Sequence, residues 1–437
     1  MNWFKLILRA LATSLTTRVL AMGLRFVTIC LLPIWLVPAE IGFNAVLMAI
    51  LNFSIAIIDL GFGTALIKEK TCTIAMYRSV LTLILAFSLL GSGSLIFFSA
   101  SIGAFFSIPP VLLILSAFAI PFSVLTIVPN ALLQRDLRFT NLALRDLFGE
   151  LAFCATALFL AIDGATELCV AIALVAQRIV RWLISSLSIR YSPGLAFHWG
   201  EIKKLLRFSL FQLGNLTVTQ LANRLDTLLL SIFLTPTMVG FYSQGQQLST
   251  IPVQSVTGTV TNIFFATFAK LQDEVEKFKT LFIRIVRGML FLSLLAVSIA
   301  YPAMGLIPRI YGADWAASVE IARTLCFSLP FFVMSCLEGI LITVGGERRR
   351  LASSLIRMGI MALGISLCFT VFSATANACD VARIVFISAF VGTMLNFQYL
   401  WKKLDMTAKD ARAWLKPLLG GAILTALSLT LTHLFAL

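Results

Sequence analysis

The chain has 437 residues, of which 59% are hydrophobic and only 12% are charged. A soluble domain carries about 45–50% apolar and about 25% charged residues, so this composition excludes a soluble globular protein and predicts a polytopic membrane protein. The formal charge of +14 comes from Lys and Arg clusters between apolar runs, a pattern typical of membrane topology and not of a nucleic-acid surface. No nucleic-acid partner is therefore expected.

Apolar runs long enough to cross a bilayer, which takes roughly 20 residues, follow one another along the chain. The first stretch, residues 1–13, is interrupted by Lys5 and Arg9, so we predict an interfacial helix and not a cleaved signal. The predicted spans are 14–37, 42–67, 75–100, 110–133, 141–162, 165–189, 206–234, 239–268, 281–301, 317–344, 351–373 and 381–401. A last apolar run, 416–436, is a candidate thirteenth span.

Basic residues concentrate on one predicted side of the membrane. Clusters such as "KEK" and "GGERRR" follow the even-numbered spans, whereas the loops after odd-numbered spans contain few Lys or Arg. Because cytosolic loops carry the excess of Lys and Arg, this bias predicts a cytosolic N-terminus.

A short sequence occurs twice in register. Leu36–Phe43 reads "LVPAEIGF", and Leu234–Phe241, 198 residues later, reads "LTPTMVGF". We interpret both as tight outer turns in which Pro ends one helix and Gly permits the reversal. A second echo, "IPFSV" at Ile120 and "LPFFV" at Leu329, falls in spans 4 and 10. The echoes predict an all-α membrane protein of two parallel six-helix bundles around a central cavity.

This duplication divides the chain into five predicted parts. They are the interfacial segment 1–13, an N-terminal lobe at 14–190, a cytosolic linker at 191–205, a C-terminal lobe at 206–401, and a cytosolic loop with an extra helix at 402–437.

Arginines inside predicted spans mark a candidate binding site, because charges in a membrane are costly. Arg25 lies eleven residues into the first span, and Arg18 lies seven residues earlier. Arg224 lies at a similar depth in the seventh span. A guanidinium fork can donate two parallel hydrogen bonds to a phosphate, so we predict a site for a phosphate or pyrophosphate group. The alternative is that Arg224 pairs with Asp226 and that Arg18 snorkels to the cytosolic surface.

Acidic residues inside the spans are candidates for ion coupling or ion pairing. Asp59 could bind a coupling cation, pair with an arginine, or cap a helix beside the nearby glycines, and the sequence leaves these three alternatives open. Asp226 and Glu338 are candidates of the same kind. Three charges of the fifth span are predicted to form a pair network at the membrane surface: Arg145, Asp146 and Glu150.

Uncharged polar residues crowd the seventh and eighth spans. An unsatisfied amide in hydrocarbon costs free energy, so these side chains need partners or water. Interhelical hydrogen bonds account for some of them, and their number favours a hydrated groove for a hydroxyl-rich sugar. The candidates for contact with such a head group are Gln220, Asn223, Gln244 and Gln247.

Sequence features of an enzyme are missing. The chain has two His without a plausible set of catalytic partners, and its eight Cys show no ligand spacing, so no metal or cofactor is expected. No GxxxxGK[ST] loop supports direct use of ATP. The predicted outer loops are too short for the catalytic residues of an integral-membrane sugar polymerase or transferase.

Four stretches together resemble the polysaccharide exporter family. They are "PNALLQRDLRFTNLALRDLFGE" (129–150), "NRLDTLLLSIFLTPTMVGFYSQGQQL" (223–248), "FFATFAKLQDE" (264–274) and "YGADWAAS" (311–318). This family comprises the Wzx-type flippases of the multidrug/oligosaccharidyl-lipid/polysaccharide (MOP) superfamily, and the chain resembles its colanic-acid-exporter branch most. The likeness extends from Arg18 to about Trp401.

The resemblance implies a two-lobed, MATE-like fold and transport of an undecaprenyl-pyrophosphate-linked oligosaccharide across the bacterial inner membrane. By position, Arg25 and Arg224 match the cavity arginines thought to hold the pyrophosphate-sugar head in relatives. The implied partners are the lipid-linked oligosaccharide, membrane lipids, a polysaccharide polymerase and a chain-length regulator. The alternative within the superfamily is a cation-coupled drug exporter, which would need acidic cavity residues.

Overall fold

A computed structural model describes residues 3–69, 72–189, 194–250, 275–334, 347–371 and 377–403 of the protein. They are mainly helical, and no strand occurs among them. Six helical stretches of the described chain are long and apolar enough to cross a membrane: Pro38–Ile58, Ile74–Phe97, Pro110–Arg135, Thr166–Leu187, Phe282–Tyr311 and Ala378–Asn396. The predicted all-α membrane fold is confirmed.

The chain divides into two compact units, Met1–Arg224 and Leu225–Leu437. The helices of the first unit are α1 (Trp3–Leu31), α2 (Pro38–Ile58), α3 (Phe62–Lys68), α4 (Ile74–Phe97), α5 (Ser99–Phe106), α6 (Pro110–Ala117), α7 (Ala119–Leu125), α8 (Ile127–Arg135), α9 (Phe139–Ile162) and α10 (Thr166–Leu187). Helix α1 includes most of the segment 1–13 without a break. The interfacial position of that segment stays a prediction. Helix α11 (Trp199–Phe233) begins in the first unit and ends in the second.

The second unit continues from the end of α11. Its described helical segments are α12 (236–250), α13 (Val275–Ala303), α14 (Ile307–Tyr311), α15 (Ala316–Cys326), α16 (329–334), α17 (Glu347–Val371) and α18 (Ala378–Lys403). The candidate span 416–436 lies outside the described residues. The predicted division into lobes and linker stays a prediction, and the boundary between the compact units falls inside α11.

Several predicted spans consist of more than one helix. The span 42–67 is α2 followed by α3, with a turn in which Leu60 and Gly61 have φ values of 51° and 74°. The span 110–133 is α6, α7 and α8, with short breaks at Phe118 and Thr126. Long apolar runs show that a segment crosses the membrane, but they do not reveal where its helix is interrupted.

The duplicated turn corrects one detail of the sequence interpretation. Pro38 does not end the preceding helix but begins α2, and Gly42 lies inside that helix. Pro236 and Gly240 take the same two places in α12. Proline fits the first turn of a helix because its missing N–H has no partner there in any case. The two occurrences are thus structurally equivalent, and the reversal of the chain precedes each proline.

The turn after α2 depends on Gly61, which is buried and approaches α11 closely. A Cβ at this position would lie 2.5 Å from the carbonyl oxygen of Ser209, and the hydroxyl of Ser209 donates to the carbonyl of Leu60. We expect Gly61→Ala to lower the free energy of unfolding by about 2 kcal/mol through backbone strain alone, and further through this contact. Thermal unfolding of the purified protein measures the change. Gly164→Ala is the control, because Gly164 has φ 90° but no atom within 4 Å of a Cβ, so a loss as large as that of Gly61→Ala would contradict the role of the contact.

Candidate functional site

Helix packing in the first unit gathers charges from three helices. Helix α9 packs against both α1 and α10 and so places its polar side chains between them. The charged side chains lie within electrostatic range of one another. We call this group the basic cluster; its members are Arg25 on α1, Arg145, Asp146 and Glu150 on α9, and Arg178 and Arg181 on α10.

Three ion pairs organise the basic cluster: two close pairs, and a longer one in which Nε of Arg181 lies 3.9 Å from Oδ1 of Asp146. Nη2 of Arg181 lies 2.9 Å from Oε1 of Glu150, so this pair links α10 to α9. On α9 itself, Nη2 of Arg145 lies 2.6 Å from Oδ1 of Asp146. Gly149 makes room for the α10 arginine, because a Cβ there would lie 2.6 Å from both Cγ and Nε of Arg181. The absence of a side chain at Gly149 therefore lets Arg181 reach Glu150.

The two carboxylates of the basic cluster do not neutralise all of its positive charge. Arg25 is exposed and Arg178 is half-buried, and neither makes a hydrogen bond or ion pair within the described chain. Four guanidinium groups face two carboxylates, so the basic cluster carries a net charge of about +2 when all six groups are ionised. An excess of this kind inside a membrane-spanning lobe is costly unless an anion or water compensates it.

Two members of the basic cluster, Arg178 and Glu150, lie near the middle of their helices. Arg178 is the thirteenth residue of the 22-residue helix α10. Glu150 is the twelfth residue of the 24-residue helix α9. At a rise of 1.5 Å per residue, each group is about 14–18 Å from either end of its helix. Arg25, Arg145 and Arg181 lie closer to an end, each six residues or about 9 Å from one end of its helix, so the cluster extends from the middle of its helices towards their ends.

The structure corrects the predicted surface network and adds residues to it. Glu150 is not at the surface but buried, with 7% of the residue exposed. Its partner Arg181 and the neighbouring Arg178 were missed by the sequence interpretation. The signal was available, since two arginines interrupt an apolar run of span length and an intramembrane charge is a site candidate by default.

In the second unit, Asp226 is the centre of a separate buried network. The residue is 4% exposed, and its Oδ2 accepts hydrogen bonds of 2.6 Å from both the Tyr242 hydroxyl and Nε2 of Gln246. Its Oδ1 accepts from the backbone N–H of Thr227 at 2.7 Å. These donors stabilise a carboxylate away from water. They connect α11 to α12, where the hydroxyl-bearing ring of Tyr242 is fully buried.

The Tyr242 hydroxyl offers a direct test of this network. We expect Tyr242→Phe to lower the free energy of unfolding by about 1.5–3 kcal/mol, the usual value of a hydrogen bond to a charged group. Tyr301→Phe is the matched control, because the hydroxyl of Tyr301 makes no hydrogen bond within the described chain. Chemical unfolding in detergent micelles compares the two variants, and equal stabilities would show that the bond to Asp226 contributes nothing.

The remaining predicted site residues differ in their hydrogen bonds and in their burial. Oδ1 of Asp59 accepts from the N–H of Gly63 at 3.2 Å, which corresponds to the helix-capping alternative, whereas cation binding stays a prediction. Nε2 of Gln247 donates to Ser243 Oγ at 3.2 Å. The burial of the remaining described candidates differs: Asn223 is exposed, Gln220 and Arg224 are half-buried, and Gln244 is buried. Arg18 lies in α1, and Glu338 lies outside the described residues.

A cavity of about 530 Å³ lies in the second unit, and none of the predicted site residues that the structure describes lines it. Tyr301, Phe327 and Phe386 form aromatic walls, and Glu320 and Arg323 are its charged lining residues. The Arg323 guanidinium carbon lies 5.1 Å from the centroid of the Tyr301 ring, a cation–π contact. The described lining thus carries one charge of each sign and no excess of positive charge.

Comparison with known sequences identifies relatives. Residues 34–320 match the model of a family described as polysaccharide biosynthesis protein. The teichuronic acid biosynthesis protein TuaB of Bacillus subtilis is 24% identical over 62% of this chain and 58% of its own length. The lipopolysaccharide biosynthesis protein WzxC of Escherichia coli is 21% identical over 72% of this chain and 65% of its own length. The succinoglycan biosynthesis transport protein ExoT of Rhizobium meliloti is 24% identical over 74% of this chain and 66% of its own length. The chain thus spans less than two thirds of the length of each of these relatives.

Comparison with solved structures identifies the fold. The lipid II flippase MurJ in an inward closed conformation superposes with a TM-score of 0.75 at 15% identity, covering 95% of this chain and 92% of MurJ. An inward-facing MATE-family multidrug transporter superposes with a TM-score of 0.63 at 15% identity, covering 90% of this chain and 94% of the transporter. The predicted MOP-superfamily fold and the resemblance to polysaccharide exporters are therefore confirmed. The solved structures that share this fold are a lipid flippase and a multidrug transporter.

Proposed function

Because the chain belongs to the polysaccharide biosynthesis protein family, we propose that it is a flippase for an undecaprenyl-pyrophosphate-linked oligosaccharide. Transport by alternating access would carry the head group from the cytosolic to the outer leaflet of the bacterial inner membrane, with the N-terminus in the cytosol. The names of the relatives, which refer to polysaccharide biosynthesis and transport, support this proposal. So does the shared fold with a lipid II flippase.

The observation that carries the proposal is the excess positive charge of the basic cluster. A pyrophosphate diester has two ionised phosphates, so its charge matches an excess of about +2. Guanidinium groups bind phosphate oxygens through pairs of charge-assisted hydrogen bonds. Arg25 and Arg178, whose guanidinium groups have no partner within the described chain, are the groups available for this contact. Arg145 and Arg181, already paired with carboxylates, position the site.

The remaining predicted residues have proposed roles in the same transport cycle. Arg224 contributes a second contact to the pyrophosphate, as does Arg18. The acidic residues Asp59, Asp226 and Glu338 are proposed either to couple transport to an ion or to form ion pairs. The sugar head is bound by the amide side chains of Gln220, Asn223, Gln244 and Gln247. A polysaccharide polymerase and a chain-length regulator would act on the product in the outer leaflet.

A flipping assay in proteoliposomes tests the function. The vesicles hold a fluorescent undecaprenyl-pyrophosphate-linked oligosaccharide, and a membrane-impermeant reductant bleaches only the outer leaflet. Flipping by the protein is expected to make the protected inner pool accessible, because the head group crosses the bilayer during the measurement. The same oligosaccharide on undecaprenyl monophosphate is the matched substrate control, and we expect it to move more slowly because it carries less negative charge.

Two outcomes would contradict the proposal. Bleaching that stops at the outer leaflet with active, folded protein would show that the lipid-linked oligosaccharide is not moved. Efflux of a cationic dye such as ethidium driven by a sodium or proton gradient, without any lipid flipping, would favour the drug-exporter alternative. The basic cluster argues against that alternative, because it would repel a cationic drug.

A further inference from the structure

The segment that joins the end of α10 to α11 is attached to α4 by its backbone. Thr82 Oγ1 donates to the carbonyl of Ala196 at 3.0 Å, and the N–H of Ala196 lies 3.2 Å from the same hydroxyl oxygen. The N–H of His198 donates to Ser79 Oγ at 2.9 Å. We call residues 194–199 the linker strip. Hydroxyls of α4 therefore satisfy backbone groups of the strip that would otherwise need water.

The linker strip turns alternate apolar side chains away from the protein. Leu195 is 67% exposed, Phe197 53% and Trp199 57%. His198, between Phe197 and Trp199, is exposed as well, so the strip presents a continuous exposed surface beside its hydrogen bonds to α4. The rings of Phe197 and Trp199 lie 6.3 Å apart, centroid to centroid.

The depth of the linker strip follows from its anchors on α4. Ser79 and Thr82 lie about 8 Å and 12 Å along the helix from its first residue, Ile74, at 1.5 Å per residue. Helix α4 is one of the candidate membrane spans. The strip therefore lies beside the terminal turns of a membrane-spanning helix, at the level where aromatic side chains meet lipid head groups.

Cations surround the exposed apolar side chains. Lys203, Lys204 and Arg207 are exposed on the first turns of α11, and within the described part of the chain only Lys204 is paired, with Glu201 at 2.8 Å. Arg78 lies under the start of the strip, since a Cβ on Gly194 would come within 2.9 Å of its Nε. This Nε is buried without a hydrogen-bond partner in the described chain. The surface thus combines apolar and aromatic side chains with an excess of positive charge.

We propose that the linker strip and the first turns of α11 bind the head groups of anionic phospholipids in the adjacent leaflet. Phe197 and Trp199 enter the interface between head groups and acyl chains, as interfacial aromatic residues do. Lys203 and Arg207 bind the lipid phosphates, and Arg78 provides a third cation beside the strip. The segment that joins α10 to α11 is thereby fixed to the membrane surface as well as to α4. This inference is independent of the proposed substrate.

Native mass spectrometry of the full-length protein tests the lipid preference. Wild type is titrated with phosphatidylglycerol and with phosphatidylcholine, and we expect tighter binding of phosphatidylglycerol. Each Lys or Arg near an anionic surface strengthens binding about fivefold, so K203Q/R207Q should weaken binding of phosphatidylglycerol roughly 25-fold. R284Q/R287Q is the matched control, since it removes two exposed arginines from α13. Equal losses in the two double variants, or no loss in K203Q/R207Q, would overturn the proposal.

Fluorescence quenching locates the apolar part of the surface in the bilayer. The signal of Trp199 is obtained as the difference between wild type and W199F, both full-length and reconstituted in liposomes with phosphatidylglycerol. Lipids brominated near the head group are expected to quench this signal more than aqueous iodide does. Quenching by iodide alone would mean that the strip faces water, and quenching by neither would mean that protein covers it. Either result would overturn the proposal even if K203Q/R207Q folds poorly.

Discussion

Replacing Arg25 by glutamine is expected to lower the rate of lipid-linked oligosaccharide flipping by roughly 10- to 100-fold, while the amount of folded protein stays unchanged. The lost contact is a charge-assisted hydrogen bond to the pyrophosphate, which is worth about 1.5–3 kcal/mol. Folding is expected to be unaffected because Arg25 is exposed and makes no ion pair within the described residues. Removing this charge also reduces its repulsion of Arg178 and Arg181.

Three further variants make the Arg25 result specific. Arg25→Lys keeps the charge but not the fork, so we expect an intermediate rate. Arg224→Gln tests the second predicted contact and should abolish complementation of a flippase-null strain while membrane insertion persists. Arg309→Gln removes an exposed arginine of α14, outside the basic cluster, and should flip at the wild-type rate. Wild-type flipping by both Arg25→Gln and Arg224→Gln would refute the anion site.

Glu150→Gln is expected to lower the free energy of unfolding by about 3–5 kcal/mol, the usual cost of removing one partner of a buried ion pair. The side chain of Glu150 is only 8% exposed and lies 2.9 Å from Arg181. Without this carboxylate, Arg181 stays half-buried among Arg25, Arg145 and Arg178. The net charge of the basic cluster rises from about +2 to about +3, which increases the repulsion inside the lobe.

A double-variant comparison separates the ion pair from simple loss of a residue. Adding Arg181→Gln to Glu150→Gln restores the net charge of about +2 and removes the cation that keeps only the longer pair with Asp146, at 3.9 Å, so part of the stability should return. Glu320→Gln is the surface control: Glu320 is 67% exposed and lies 3.7 Å from Arg383, and a pair of this kind contributes less than about 1 kcal/mol. Unfolding by denaturant in micelles gives the energies. If the double variant is no more stable than Glu150→Gln, the pair is not the cause.

Much of the site could not be read from the sequence, for a physical reason. Glu150 and Arg181 are 31 residues apart on different helices, and their contact depends on which faces of α9 and α10 pack together. Hydropathy reports that a helix crosses the membrane, but it does not report the rotation of the helix about its own axis. The small side chain of Gly149, which admits Arg181, has meaning only once that rotation is known. Asp226 is a similar case, because its donors Tyr242 and Gln246 come from the next helix.

Composition and long apolar runs by themselves determined that this is a helical membrane protein, because an uninterrupted run of about 20 apolar residues crosses a bilayer as a helix, which satisfies its own backbone hydrogen bonds. The repeated turn motif and the four family stretches further determined the MOP-type fold and the polysaccharide exporter family. Tertiary structure alone decided where each charge finds its partner. It placed the prolines of the repeated turns at helix starts, buried Glu150 against Arg181, and joined the linker strip to α4. These outcomes depend on contacts between residues distant in the chain, which local sequence patterns do not encode.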